Sequence, residues 1–550
     1  MGKLRRLNNT RVKELGRYAL AVVVGLLWAA AYPKLGLAGA AWLVPASLLL
    51  LGAGQTRKRA FRLGYVAGLA FNLAALYWLW FIPVTFFPIL GWLALSAYLA
   101  LYPALWVWLG WRLFPGGKDG QTKVQWDAGG WAPRVIWAFS CALLWVALEM
   151  IMGRLLSGFP WLFLGTSQYR LTPLIQVASL TGVYGVSFLM VWASVSLFCA
   201  GGVIMSRPTR YWTWLGELAL PAMAVGATLL FGMKELLPAK EPDQRMKIAL
   251  IQPSIPQKVK WDPVENRKMF QRVLDLSRAA LVLKPDVVMW PEAATPGLLR
   301  YEPEVSGLVT NFAELHNVWI VLGADDAEPR AGSSNPEDAD YFNSSFLVDP
   351  KGRLVAKYDK RKLVAFGEFI PFEKWVPIFK FFTPIPGGFT PGGKPEAFQI
   401  EKPRANLSVL ICFEDVFPHV AREYVREDTD FLINLTNNGW FGEGAAHWQH
   451  AASSALRAVE NRVPLVRCTN NGLTCWIDGH GRLRDVFGEG DDIYGAGFKI
   501  IDVPLLDEGQ RRALTFYTRH GDVFGWICVV MSAVLVGYLF VGRKQAQASS

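Results

Sequence analysis

Three residues of this chain have the types that acyl chemistry needs, and each ends a short strand-like segment. Val409-Leu410-Ile411 ends in Cys412, followed at once by Phe413, Glu414 and Asp415. Val287-Val288-Met289-Trp290-Pro291 ends in Glu292. A third run, 354–358, leads through Asp359 to Lys360, with Phe366-Gly367-Glu368 just beyond. Aliphatic, β-branched runs of this length read as buried strands, and α/β folds place reactive groups at the carboxyl ends of strands. A lone cysteine there reads first as a packed apolar residue. A Glu and a Lys ending two comparable runs change that reading. A thiol attacks as its thiolate and needs a base to take the proton. Glu292 fills that role if burial raises its pKa toward neutrality. The tetrahedral intermediate of acyl transfer carries an oxyanion, which Lys360 and the backbone N–H of Phe413 can stabilise.

The elements that must position these groups lie between about residues 240 and 520, where the composition is that of a soluble domain. A polar linker with two prolines, 236–245, precedes a strand at 247–252. Trp261 follows in a loop, then a helix over 264–284 whose apolar spacing is near 3.6. A strand at 318–323 comes next, then a hairpin of 343–348 and 354–358 across Asp349-Pro350-Lys351-Gly352. After Cys412, a strand at 431–436 runs into Asn437-Asn438-Gly439-Trp440. A helix over 446–462 and strands at 465–468 and 472–478 complete an alternating α/β pattern. The stretch 379–393, rich in aromatics, Pro and Gly, suits either a mobile apolar lid or a packed irregular connection. His447 and His450 lack a third ligand at metal spacing, so they read as packing or locally bonded residues. Of the six cysteines, Cys141, Cys199 and Cys528 sit in long apolar runs. Cys412, Cys468 and Cys475 remain. An odd set leaves at least one thiol free within the chain, and Cys412 is the one left free here; a Cys468–Cys475 bridge stays open.

The rest of the chain is of a different kind. With 550 residues, 52% hydrophobic and 24 Trp, it exceeds one domain. Apolar runs at 18–32, 36–54, 61–82, 87–111, 135–152, 183–205, 214–235 and 523–541 approach the length needed to cross a bilayer, which makes eight expected spans. The basic stretch 1–17 followed by an apolar run fits a cleaved signal peptide, but the further spans favour a retained first helix. Loops on one side of this arrangement hold 18 Lys and Arg, and the short loops on the other hold 3. That asymmetry places both termini in the cytoplasm and 240–520 on the far face. The net charge of +11 is thereby accounted for; the lack of a basic stripe interleaved with aromatics on a soluble element argues against nucleic-acid binding. Glu149 falls within the fifth span, and Arg154, Ser157-Gly158-Phe159-Pro160-Trp161 and Gln168 follow it. They read either as a functional group at membrane depth or as residues satisfied near the interface, in a re-entrant or interfacial segment. Trp78, Trp80, Trp106, Trp108 and Trp111 lie near span ends and read as an interfacial belt. No P-loop or Rossmann glycine pattern signals a nucleotide.

The order Glu292, Lys360, Cys412 resembles the nitrilase superfamily across residues 246–505, which implies an α/β/β/α sandwich. The whole chain resembles the apolipoprotein N-acyltransferases: a transmembrane α-helical bundle of seven helices over 1–238, a nitrilase-like domain over 246–505 and a closing helix over 521–542. The shared motifs include Ser157–Trp161, Gln252–Trp261, Trp290–Pro296, Lys360–Glu368, Cys412–Glu414 and Trp440–Gly442. The resemblance implies Cys412 as nucleophile, Glu292 as general base and Lys360 as oxyanion stabiliser. It implies Glu368 as a supporting acid, with Trp261 and Glu414 at positions linked to substrate binding or site support. Phe413 departs from the tyrosine common after the cysteine; its backbone N–H is retained and a hydroxyl is lost. The implied reaction moves an acyl chain from a phospholipid, usually the sn-1 chain of phosphatidylethanolamine, to a cysteine thioester. The chain then passes to the α-amino group of a diacylglyceryl-modified apolipoprotein. The implied setting is a monomer in a bacterial inner membrane, with the catalytic domain periplasmic and without metal or other cofactor. Two rivals stay open: a membrane-tethered amidohydrolase that passes the acyl group to water, and an inactive scaffold or transporter.

Overall fold

The computed structural model describes residues 2–84, 87–115, 124, 126, 130–206, 214–238, 242–257, 263–330, 332, 338–371, 373, 375, 388–490 and 492–548. The chain divides into two compact units. One comprises Met1–Trp80, Ile89–Leu236 and Asp522–Ser550, the other Phe81–Pro88 and Leu237–Gly521.

The first unit is helical. Four described helices are long and apolar enough to cross a membrane: Phe87–Leu113 taken through, Trp131–Met152, Val183–Ser206 and Leu215–Glu235. The apolar part of the last helix, Val523–Leu539, is shorter. The expected span at 36–54 is not one helix. A 3-10 turn, Ala38–Trp42, precedes Val44–Gly52. The second of these rises only about 13 Å at about 1.5 Å per residue, well short of a bilayer core of about 30 Å. The helix Arg57–Ala75 packs through small residues. A Cβ on Gly64 would lie 3.1 Å from the Ala104 Cα, and one on Gly68 3.1 Å from the Ala100 Cα. This small-xxx-small spacing lets two backbones close up, as helices do where no solvent drives them together.

Two of the expected interfacial tryptophans are interior instead. Trp78 and Trp106 are buried. Trp106 Nε1 donates to the Cys141 carbonyl at 2.8 Å and its ring meets Trp145 edge-on at 5.0 Å. An indole with a carbonyl for its N–H has no need of the wet interface. Trp80 is exposed. Glu149 is buried and accepts from Trp145 Nε1 at 2.9 Å and the Leu164 N–H at 2.8 Å. Arg154 pairs with Asp522.

The second unit is built on two six-stranded sheets. In chain order the strands are β1 (Arg245–Gln252), β2 (Val287–Met289), β3 (Trp319–Pro329), β4 (Ala339–Val348), β5 (Leu354–Asp359), β6 (Ala397–Glu401), β7 (Arg404–Ile411), β8 (Phe431–Thr436), β9 (Leu465–Thr469), β10 (Cys475–Ile477), β11 (Leu483–Arg484) and β12 (Gly497–Pro504). One sheet runs β12-β1-β2-β3-β4-β5 and the other β11-β10-β9-β8-β7-β6. Each has three parallel strands at its centre, β1-β2-β3 and β7-β8-β9, with antiparallel strands at both sides. The central strands are apolar on both faces, as parallel strands covered on both sides must be. The sheets face each other: the Cys468 thiol of β9 lies 3.5 Å from the Ile251 carbonyl of β1 and 3.3 Å from that of Met289 in β2. Helices Pro263–Leu281 and Pro303–His316 carry side chains of the core on the outer face of the first sheet. Helix Ala445–Asn461 packs against β9 and β10. The result is the expected α/β/β/α sandwich, with polar residues gathered at the carboxyl ends of the parallel strands.

All six cysteines are free, so no Cys468–Cys475 bridge forms; these two residues lie on the neighbouring strands β9 and β10, and both are buried.

Candidate active site

Glu292 stands three residues beyond β2, Lys360 directly follows β5, and Cys412 directly follows β7. The first sheet therefore supplies the carboxyl group and the ammonium, and the second supplies the thiol. Approach to Glu292 depends on Gly323 of β3. A Cβ there would lie 2.6 Å from the Glu292 Cα and from the Pro291 carbonyl oxygen, so only glycine lets the two segments touch.

Lys360 is buried at 1% exposure, and Glu292 is buried too. The Lys360 ammonium lies 2.7 Å from Glu368 Oε1 and 3.3 Å from Glu292 Oε1. Asn343 Nδ2 donates to both acids, at 2.7 Å to Glu292 and 3.0 Å to Glu368. The second oxygen of Glu292 accepts from the Asn437 N–H at 2.8 Å, and that of Glu368 from the Val364 N–H at 2.8 Å. Burial opposes the Lys360 charge, but Glu368, Glu292 and Cys412 outweigh it and hold the ammonium pKa well above the usual lysine value. Lys360 is thus a fixed cation.

Cys412 is half-buried and turns the chain sharply, with φ at +51°. Burial pushes its thiol up to about 12; Glu292 adds to this, while Lys360 and a hydrogen bond from Thr436 work against it. The resting group is a neutral thiol, which makes a proton acceptor necessary before attack.

Glu414, two residues on, is fully buried. Its carboxyl accepts from the N–H groups of Ile411 at 2.8 Å, Arg361 at 2.7 Å and Lys362 at 3.0 Å, and from the Tyr358 hydroxyl at 2.8 Å. It therefore ties the Lys360 segment of one sheet to the Cys412 strand of the other. Asp415 accepts from His450 Nε2 at 2.6 Å and from the Arg467 guanidinium at 2.9 Å. Burial pushes Asp415 up, but His450, Arg467 and Ser454 hold it below the usual carboxylate range.

Known proteins divide the chain in a similar way. Residues 247–489 match the carbon-nitrogen hydrolase family and residues 24–196 match the apolipoprotein N-acyltransferase N-terminal domain. The apolipoprotein N-acyltransferase of Geobacter metallireducens is 37% identical over 95% of this chain and 95% of its own length. This chain belongs to the apolipoprotein N-acyltransferase family. The Vibrio cholerae member is 33% identical over 87% of this chain and 90% of its own. A crystallised amidase from Nesterenkonia sp. aligns at 18% identity and a TM-score of 0.34, over 49% of this chain and 93% of its own.

Within this apolipoprotein N-acyltransferase-family chain, the structure brings Glu292, Lys360, Glu368 and Cys412 together and sets Glu414 beneath them. The Phe413 ring packs edge-on against Phe417 at 4.8 Å. Trp261 and the segment 379–387 lie outside the described residues. The end of the expected lid is tethered: Phe389 N–H donates to the Glu368 carbonyl at 2.7 Å and Gly392 N–H to that of Lys360 at 2.8 Å. Sequence reasoning missed Asn343, Asn434, Asn437, Tyr358, His450 and Arg467. Asn434 alone carried a signal, as an amide inside the apolar run 431–435. His450 was read as packing or locally bonded, and its partner Asp415 comes from 35 residues away.

Proposed function

We propose that this protein moves a fatty acyl chain from a phospholipid to the α-amino group of a diacylglyceryl-modified apolipoprotein, through a thioester on Cys412. One observation carries the reading: a Lys360 ammonium shared by Glu292 and Glu368, next to a neutral thiol on a sharp turn, in a member of this family. Glu292 takes the thiol proton, and sulfur attacks the ester carbonyl, usually that of the sn-1 chain of phosphatidylethanolamine. The oxyanion forms against the Lys360 ammonium and the Phe413 N–H. Its collapse breaks the C–O bond, and the lysophospholipid leaves with the proton held by Glu292. The α-amine then attacks the thioester, gives its proton to Glu292, and the thiol leaves with that proton. Two large lipids thus use one site in turn, with ping-pong kinetics. Glu368 supports the site, and Trp261, Phe413 and Glu414 bind substrate or support the site. Four apolar helices support a multi-pass membrane location. The bias of 18 basic loop residues against 3 supports cytoplasmic termini and a periplasmic catalytic domain, in a monomer of the bacterial inner membrane.

The test is the intact mass of the protein after incubation with phosphatidylethanolamine, with Cys412→Ser beside it. A fatty-acyl increment on wild type that neutral hydroxylamine removes, and that a diacylglyceryl-cysteine peptide discharges onto its amine, is the expected result. An equal hydroxylamine-sensitive adduct on Cys412→Ser overturns the nucleophile assignment. Free fatty acid without transfer to the peptide assigns the protein as a hydrolase.

A further inference from the structure

We infer that Asn434 and His450 are positioning residues that orient the Cys412–Phe413 peptide group so that the Phe413 N–H serves the oxyanion. The inference rests on the thioester reading above. Asn434 Nδ2 donates to the Cys412 carbonyl oxygen at 2.9 Å, and His450 Nε2 lies 3.2 Å from the same oxygen. The peptide group is planar and trans, so its C=O and N–H point in opposite directions. Two donors holding the Cys412 oxygen therefore set the direction of the Phe413 N–H, away from Asn434 and His450. Hydrogen bonds to the oxygen also polarise the amide and strengthen its N–H as a donor. The constraint is needed because Cys412 sits at φ +51°, a conformation unfavourable for a non-glycine residue that relaxes unless its surroundings hold it.

Two independent observations support a dedicated role. Asn434 is fully buried in β8 between apolar neighbours, and its Oδ1 has no hydrogen-bond partner among the described residues. A carbonyl oxygen only accepts, so the amide nitrogen must be the atom facing Cys412. For His450, Nε2 faces Asp415 Oδ1 at 2.6 Å as well as the Cys412 oxygen. Both are acceptors, so Nε2 carries the proton. Arg467 and Ser454 on Asp415 Oδ2 hold that carboxylate in place.

The experiment compares two reactions of Cys412 in the full-length enzyme. Single-turnover acylation from phosphatidylethanolamine passes through an oxyanion, whereas alkylation by iodoacetamide displaces iodide and forms none. Asn434→Leu and His450→Leu are expected to slow acylation about tenfold or more, a fraction of the full loss of an oxyanion donor, with alkylation close to wild type. His450→Gln, which keeps a donor within reach, is expected to recover most of the acylation rate. Acylation and alkylation falling together would show a packing role and overturn the inference, as would unchanged acylation. Should His450→Leu fail to fold, Asn434→Leu decides, since leucine is close to asparagine in size and takes away the donor. A wild type that forms no thioester overturns the proposed function, and this inference with it.

Discussion

Two charged clusters adjoin the turn that carries Cys412, and they are sealed to different degrees. In the first, Lys360 is shared by two acids whose side chains keep some exposure, 8% for Glu292 and 12% for Glu368. In the second, Asp415 and Arg467 are wholly enclosed and His450 is at 1%. Two carboxyl groups share one ammonium in the first cluster, whereas acid and guanidinium match one to one in the second. A carboxylate at an accessible rim can exchange a proton with an incoming group. One enclosed beside an arginine cannot do so without stranding a buried charge. The first cluster has the makings of chemistry, and the second the makings of a scaffold.

Changes to the two clusters should therefore differ in kind. The largest effect belongs to the thiol: Cys412→Ala should abolish acyl-enzyme formation while altering stability by less than about 1 kcal/mol, as for a partly exposed small residue. Residual thioester in that variant by mass spectrometry would break the assignment. Next, Lys360→Met should lower the single-turnover acylation rate by about 10²–10³, as for loss of one oxyanion donor. An acylation rate within about twofold of wild type would remove Lys360 from that role.

For the Asp415–Arg467 pair of the sealed cluster the loss should fall on stability. Asp415→Asn leaves Arg467 buried without its counter-charge and should cost about 3–5 kcal/mol, read by denaturant unfolding. Its pH dependence carries a definite sign. Asp415 has a lowered pKa in the fold, so its contribution is present above the unfolded value of about 4 and is lost as pH falls through the folded value. The variant should accordingly show a flatter acid arm in its stability curve; an unchanged acid arm would deny the cluster its scaffold role. The smallest effect concerns the remaining cysteines. With every thiol free, a reductant should leave the melting temperature unshifted, and a measurable drop would reveal a bridge.

Much of the candidate site was legible because Glu292, Lys360 and Cys412 follow strand-like segments, and such segments have few folds open to them. The order Glu292, Lys360, Cys412 could be read along the chain, as could the hairpin that delivers Lys360 and the helix that follows Trp440. The eight apolar runs were equally visible. Yet 36–54 resolves into a 3-10 turn and a short helix, because hydropathy records apolarity and not continuity. Trp106 was misplaced for a related reason. A tryptophan near a span end suits an interface, and only the Cys141 carbonyl across the bundle makes the interior acceptable.

By itself the sequence determined the two-part division of the chain and the strand ends at which Glu292, Lys360 and Cys412 stand. These follow from local periodicity, which each stretch carries without help from the others. Only the tertiary structure decided what surrounds them. Asn343 bridging two acids, Glu414 stitching one sheet to the other, and Asn434 with His450 on the Cys412 carbonyl all join residues distant in the chain. A hydrogen bond needs a partner within about 3 Å in the right direction, and no spacing along a single strand records which distant strand will supply it.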